Sequence, residues 1–228
     1  MKKKITLTKD QIEIIENYIT NKGIKYIDLK FEVLDHISSD VENEINKDNT
    51  SFNVAFERVK LKWKKSFTFE SSALISIFHY RPLIFINRCL KINNPYFKKT
   101  MMIVILSTFI FNFIQKNFVN NLEIINVVIT YGVIMTSIVY TWFVLYWYFK
   151  IKKTKLKTSY SFLFKTQILP GLIVLTFFFT NFEKESFFEF SSFKNLILIL
   201  NILSIYLGYV FYNNHKISVS NYKNYNLK

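Results

Sequence analysis

From about Thr100 onward the chain carries four long apolar runs that are nearly free of charge, roughly residues 100–119, 122–149, 160–182 and 193–212. A helix rises about 1.5 Å per residue, so about 20 apolar residues cross the hydrocarbon core of a bilayer. Runs of this length can also be buried core helices, but that needs a water-facing shell around them. Half of this chain is hydrophobic and 18% is aromatic, and those residues concentrate in the runs. No such shell is left over. The expectation is an all-α chain ending in four transmembrane helices, with Lys116 snorkelling at the far end of the first span and Lys165 near the entrance of the third.

The loops set an orientation. KIKKTKLK, between the second and third spans, has five lysines and no acid, whereas FEKESFFEFSSFK, between the third and fourth, has three glutamates against two lysines. Lysine-rich loops stay on the cytoplasmic side. The 150–157 loop and the 214–228 tail are therefore expected inside, and the Asn120–Asn121 turn and the acidic loop outside. Trp142, Trp147, Tyr148, Tyr209 and Tyr212 fall at the inner interface in this reading. The opening MKKK is followed by acids instead of an uninterrupted apolar core, so it is expected to stay in the cytoplasm uncleaved. A bacterial inner-membrane protein with both termini inside is the predicted topology.

Within the spans Asn112, Gln115, Asn126, Thr130, Thr136, Ser137, Thr141, Gln167, Asn201 and Ser204 can bond between helices, and none is ionisable. That weakens a transporter reading, because ionisable groups in the membrane are its usual mark. Pro170–Gly171 should kink the third span, with Thr166 and Gln167 upstream available to satisfy the freed carbonyls.

Before the spans, residues 1–65 have thirteen Lys/Arg against eleven Asp/Glu, so the net charge of +14 resides mostly elsewhere, on membrane flanks. Nucleic acid is not an expected partner; anionic lipid is. Three helices are predicted for a small cytoplasmic domain. Thr8 and Gln11 form a capping box for the first, which Gly23 ends. The second covers about 25–46. Thr50 or Ser51 caps the third, where Phe52, Ala55, Phe56, Val59 and Trp63 share a face. Residues 66–99 are a linker, with 82–92 a candidate interfacial amphipathic helix.

The second helix holds the candidate site. Glu32, His36 and Asp40 are spaced by four and share one side, the pattern of metal ligands or proton-transfer groups. One imidazole and two carboxylates on one helix need ligands from elsewhere, and His79 and His215 lie in no ligand motif, so no metal is expected. Ile27, Phe31, Leu34, Ile37, Val41 and Ile45 are assigned to the core stripe. Leu29 and Val33 fall on the opposite side, to be covered either by the linker near Phe78–Leu90 or by another protein chain, and with His36 and Asp40 at their rim they are the expected partner-binding face.

IKYIDLKFEVLDHISSDVENEI, followed by SFNVAFERV, resembles the amino-terminal domain of uncharacterised four-span inner-membrane proteins of Bacteroidetes-type bacteria. More distantly it is similar to prefix domains that precede permease and signalling membrane segments. The likeness covers about residues 5–65 and implies a cytoplasmic helical prefix; it lends no catalytic residues. Cys89 stands alone, and there is no phosphate-cradling glycine loop, GxSxG or HExxH. The favoured function is a non-enzymatic membrane adaptor or regulator that binds a protein partner, or a second copy, through the amino-terminal domain, with no cofactor. The alternative is a subunit of a small oligomeric transporter or channel.

Overall fold

The computed structural model describes residues 6–118, 122–173, 175 and 191–226. In order they form α1 (Lys9–Asn21), α2 (Ile27–Asp48), α3 (Phe52–Trp63), β1 (Phe69–Ser72), β2 (Ser76–Pro82), α4 (Leu83–Phe118), α5 (Leu122–Lys153), α6 (Ser159–Leu163) with a π-turn over Phe164–Ile168, and α7 (Ser191–Asn226). The described residues divide into two compact units, one up to Lys91 with Leu156–Ser159 and Ile217 onward, the other Ile92–Lys155 with Tyr160–Lys216.

In the first unit the local signals act as chemistry dictates. Thr8 Oγ1 accepts the Gln11 N–H at 3.3 Å while Gln11 Oε1 accepts the Thr8 N–H at 2.9 Å, which starts α1. Gly23, at φ +89°, turns the chain away from it. Asn49 takes a left-handed conformation at the end of α2, and α3 follows with Ala55, Phe56 and Val59 buried. α2 packs against both α1 and α3. Two expectations need correction. The chain is mostly helical but not all-α, because β1 and β2 pair as an antiparallel hairpin within the expected linker. The 66–99 linker is also not a separate stretch: α4 starts right after Pro82, which ends β2, and runs on through Pro95 into the apolar segment.

The second unit is built from helices of another kind. Leu83–Ile114, Val127–Lys153 and Lys194–Asn224 are long and apolar enough to cross a membrane, and none of the most apolar stretch of the first is buried within the chain. Within this unit α5 and α7 run parallel. Thr130 meets Lys194, Ser137 meets Asn201, Trp147 meets Tyr212 and Thr154 meets His215, so contacts advance together along both helices. The chain between them must therefore travel back. Its described part does so, since Thr154 is level with His215 whereas the Ile168 carbonyl reaches Tyr140. Most of the second half of the expected third span, with the acidic loop after it and the Asn120–Asn121 turn, lies outside the described residues.

The Pro170 kink takes a different form from the one expected. Leu169 N–H bonds to the Phe164 carbonyl, five residues back, and Leu172 N–H bonds to Leu169 instead of to Ile168, its partner in a regular α-helix. The Tyr140 hydroxyl donates to the Ile168 carbonyl at 2.5 Å from α5. Thr166 bonds backward to Phe162. Gly171 makes room, because a Cβ there would run into the Tyr140 hydroxyl.

Candidate functional site

Glu32, His36 and Asp40 share a side of α2 but do not converge. Asp40 accepts from Lys62 Nζ at 2.9 and 3.0 Å and from the Trp63 indole N–H at 2.8 Å, both supplied by the end of α3. Burial pushes the Asp40 carboxyl up, but the indole hydrogen bond and the ammonium outweigh it and hold the group below the ordinary carboxylate range. Glu32 turns to Arg88, 3.3 Å away, and His36 is exposed. Among the described residues no group of three His, Cys, Asp or Glu is placed to hold a metal ion.

The expected partner face is corrected outright. Leu29 is 2% exposed and Val33 1%, and both belong to the core with Ile37, Val41 and Ile45. These five residues form an unbroken i, i+4 row. Such a row slants across the helix surface, and it is the ridge that helices crossing at an angle bury. A stripe drawn straight along the axis splits the row in two and puts its first members outside. With α1 and α3 both packed on α2, the slanted row is the one covered.

Phe31 and Leu34 consequently lie only half-buried, and they floor an open groove of about 640 Å³. Asp28, Asp35, Ser38 and Glu42 line its α2 wall, and Ser218, Asn221 and Tyr222 of α7 the other. The Phe31 and Tyr222 rings meet at 5.5 Å between centroids. Asp28, Asp35 and Glu42 are seven apart, two helical turns each, so their carboxylates follow one line. Among the described residues no Lys or Arg lines the groove, in a chain of net charge +14.

Two of these carboxylates also hold the unit together. Glu42 Oε1 accepts the Leu7 N–H at 3.1 Å. Asp28 Oδ1 accepts the Ser159 N–H at 2.8 Å, at the start of α6, while the Ile27 N–H bonds to the Lys157 carbonyl at 2.9 Å. A carboxylate at a helix start satisfies an orphan donor and meets the positive end of the dipole. Burial raises the Asp28 carboxyl above its ordinary range, and the Ser159 N–H and Arg88 draw it part of the way back. Two hydroxyls lie beside an imidazole, Ser76 Oγ at 2.7 Å from His79 Nδ1 and Thr154 Oγ1 at 3.1 Å from His215 Nε2, but neither pair lines the groove; an apolar floor between carboxylates is the chemistry of a binding groove. Compared with family models, with curated proteins and with solved structures, the chain matches none.

Proposed function

We propose that the chain is a four-span inner-membrane protein with both termini in the cytoplasm, and that its first unit is a docking module for a protein partner, which makes it an adaptor or regulator and not an enzyme. The groove floored by Phe31 and Leu34 carries the docking reading: it is the place where α2 keeps apolar side chains half-exposed while its slanted row is fully covered. The four-span reading is supported by the parallel course of α5 and α7, which calls for one more crossing between them, and by the lysine-rich 150–157 loop. The likeness of residues 5–65 to prefix domains of membrane proteins belongs to the same reading.

A photo-crosslinking residue placed at Phe31 or Leu34 in the full chain in cells should give a discrete protein adduct. The same residue at Leu61, exposed on α3, should give none, and Asp35→Lys should remove the adduct at Phe31. Equal labelling at all three positions, or none at any, would refute the docking reading.

One observation favours the transporter alternative. Lys194 is buried at the start of α7 and donates to Thr130 at 3.0 Å, and one heptad on Asn201 donates to Ser137 at 2.9 Å. An ionisable group buried between apolar helices is a common mark of an ion or substrate path. Lys194→Met would abolish a transport activity and would leave partner crosslinking at Phe31 unchanged.

A further inference from the structure

The β1–β2 hairpin is apolar on its outside. Phe78 is 84% exposed, and Phe69, Leu74, Ile77 and Tyr80 are exposed with it, so both faces of β2 offer large apolar side chains. A two-stranded hairpin is marginal in water by itself, and on this one Glu70 and His79 are the exposed polar strand residues beside exposed Phe69, Ile77, Phe78 and Tyr80. Beside it is a cavity of about 580 Å³ lined by Lys25, Arg81 and Lys157 together with Asn21, Tyr26 and Phe69. Among the described residues no acid lines the cavity; Glu70 stands opposite Arg81 in the strand ladder and outside the lining. Arg81 also donates to the Tyr80 carbonyl at 2.9 Å, which ties the cation to the hairpin backbone.

Lys157, which lines the same cavity as Arg81, is four residues after a membrane-capable helix that ends at Lys153. We propose that the hairpin enters the membrane interface through Ile77, Phe78 and Tyr80 while Lys25, Arg81 and Lys157 hold the phosphate of an anionic lipid headgroup. Aromatic and aliphatic side chains partition into the headgroup boundary, and each lysine or arginine near an anionic surface adds to the attraction. Three cationic residues line one cavity, a lining that suits a phosphodiester. This inference rests on the membrane reading above but not on the groove.

The test uses the full chain in nanodiscs, with Cys89→Ser and a fluorophore on a single new cysteine at Ile77. A second protein carries the label at Met135, 67% exposed on α5. Brominated lipid chains report immersion by quenching. The label at Ile77 should be quenched when phosphatidylglycerol is present and much less in phosphatidylcholine alone. Lys25→Glu and Lys157→Glu, both exposed positions, should each weaken the dependence on phosphatidylglycerol about fivefold or more. Quenching at Ile77 that is equal in both lipids and in both variants would overturn the headgroup site, and no quenching there while Met135 is quenched would overturn the insertion. Millimolar inorganic phosphate should not relieve the quenching. Full relief would identify free phosphate as the ligand and contradict the lipid assignment. Absence of quenching at Met135 would sink the membrane reading itself, and the hairpin proposal with it.

Discussion

α2 and α5 are both long helices rich in apolar residues, and they dispose of them in opposite ways. On α2 the row Leu29, Val33, Ile37, Val41 is almost wholly buried within its own unit, and the outer residues are charged. On α5 Val128, Tyr131, Met135, Ile138 and Trp142 all face outward, and the inner face holds Val133, Ser137, Tyr140 and Val144. Composition alone does not make this difference. The first helix keeps its apolar surface inside the chain, and the second presents it to a solvent that is itself apolar. Polar groups follow suit: in the first unit ion pairs such as Lys30–Glu16 sit at the surface, and in the second Asn201 and Lys194 turn inward to hydroxyls of the neighbouring helix.

The largest effect that can break this contrast is a pair of truncations. Ile37→Ala opens a cavity in a fully covered site and should cost about 2–5 kcal/mol. Met135→Ala removes a side chain that faces outward and should cost a small fraction of that. Thermal unfolding of the full chain in mild detergent measures both. Equal losses would mean that α5 is covered by protein, not by lipid.

A smaller effect sharpens the account of the second unit. Tyr140→Phe leaves the ring in place and strips the donor from the Ile168 carbonyl, so it should lower stability by about 1–3 kcal/mol. An unchanged transition would show that another donor serves this carbonyl.

The smallest concerns Asp28 in the first unit. Its folded-state carboxyl is raised above the ordinary value, chiefly by burial, so the ionised form opposes folding. The cost is present at neutral pH and disappears as pH falls through the folded-state value. Asp28→Asn keeps an oxygen that can accept the Ser159 N–H, so it should raise the midpoint at pH 7, and the gain over the native chain should shrink as the buffer is made acidic. A lower midpoint at pH 7 would show that the negative charge at the start of α6 outweighs its desolvation.

Much of this was legible where one signal has one meaning. Thr8–Gln11 could only be a cap, Gly23 a chain reversal, and three of the runs from Thr100 on long apolar helices. The core side of α2 was not legible, because a straight stripe and a slanted i, i+4 row share Ile37, Val41 and Ile45, and only the crossing of neighbouring helices separates them at Leu29, Val33, Phe31 and Leu34. The hairpin was hidden because Ala73, Leu74 and Ile75, which join its strands, carry none of the Asn-Gly or Asp-Gly signal that usually marks such a turn. The groove was invisible for another reason. Its second wall comes from Ser218, Asn221 and Tyr222, far along the sequence from Phe31, and no local pattern links them.

The central claim is that the second unit crosses the membrane four times with the 150–157 loop inside, and cysteine accessibility tests it most directly. In a Cys89→Ser chain expressed in intact cells, an impermeant maleimide should label a cysteine at Ser186 and should leave one at Thr154 unlabelled until the cells are opened. Labelling of Thr154 from outside with Ser186 protected would reverse the orientation, and labelling of both from outside would contradict the odd number of crossings between them.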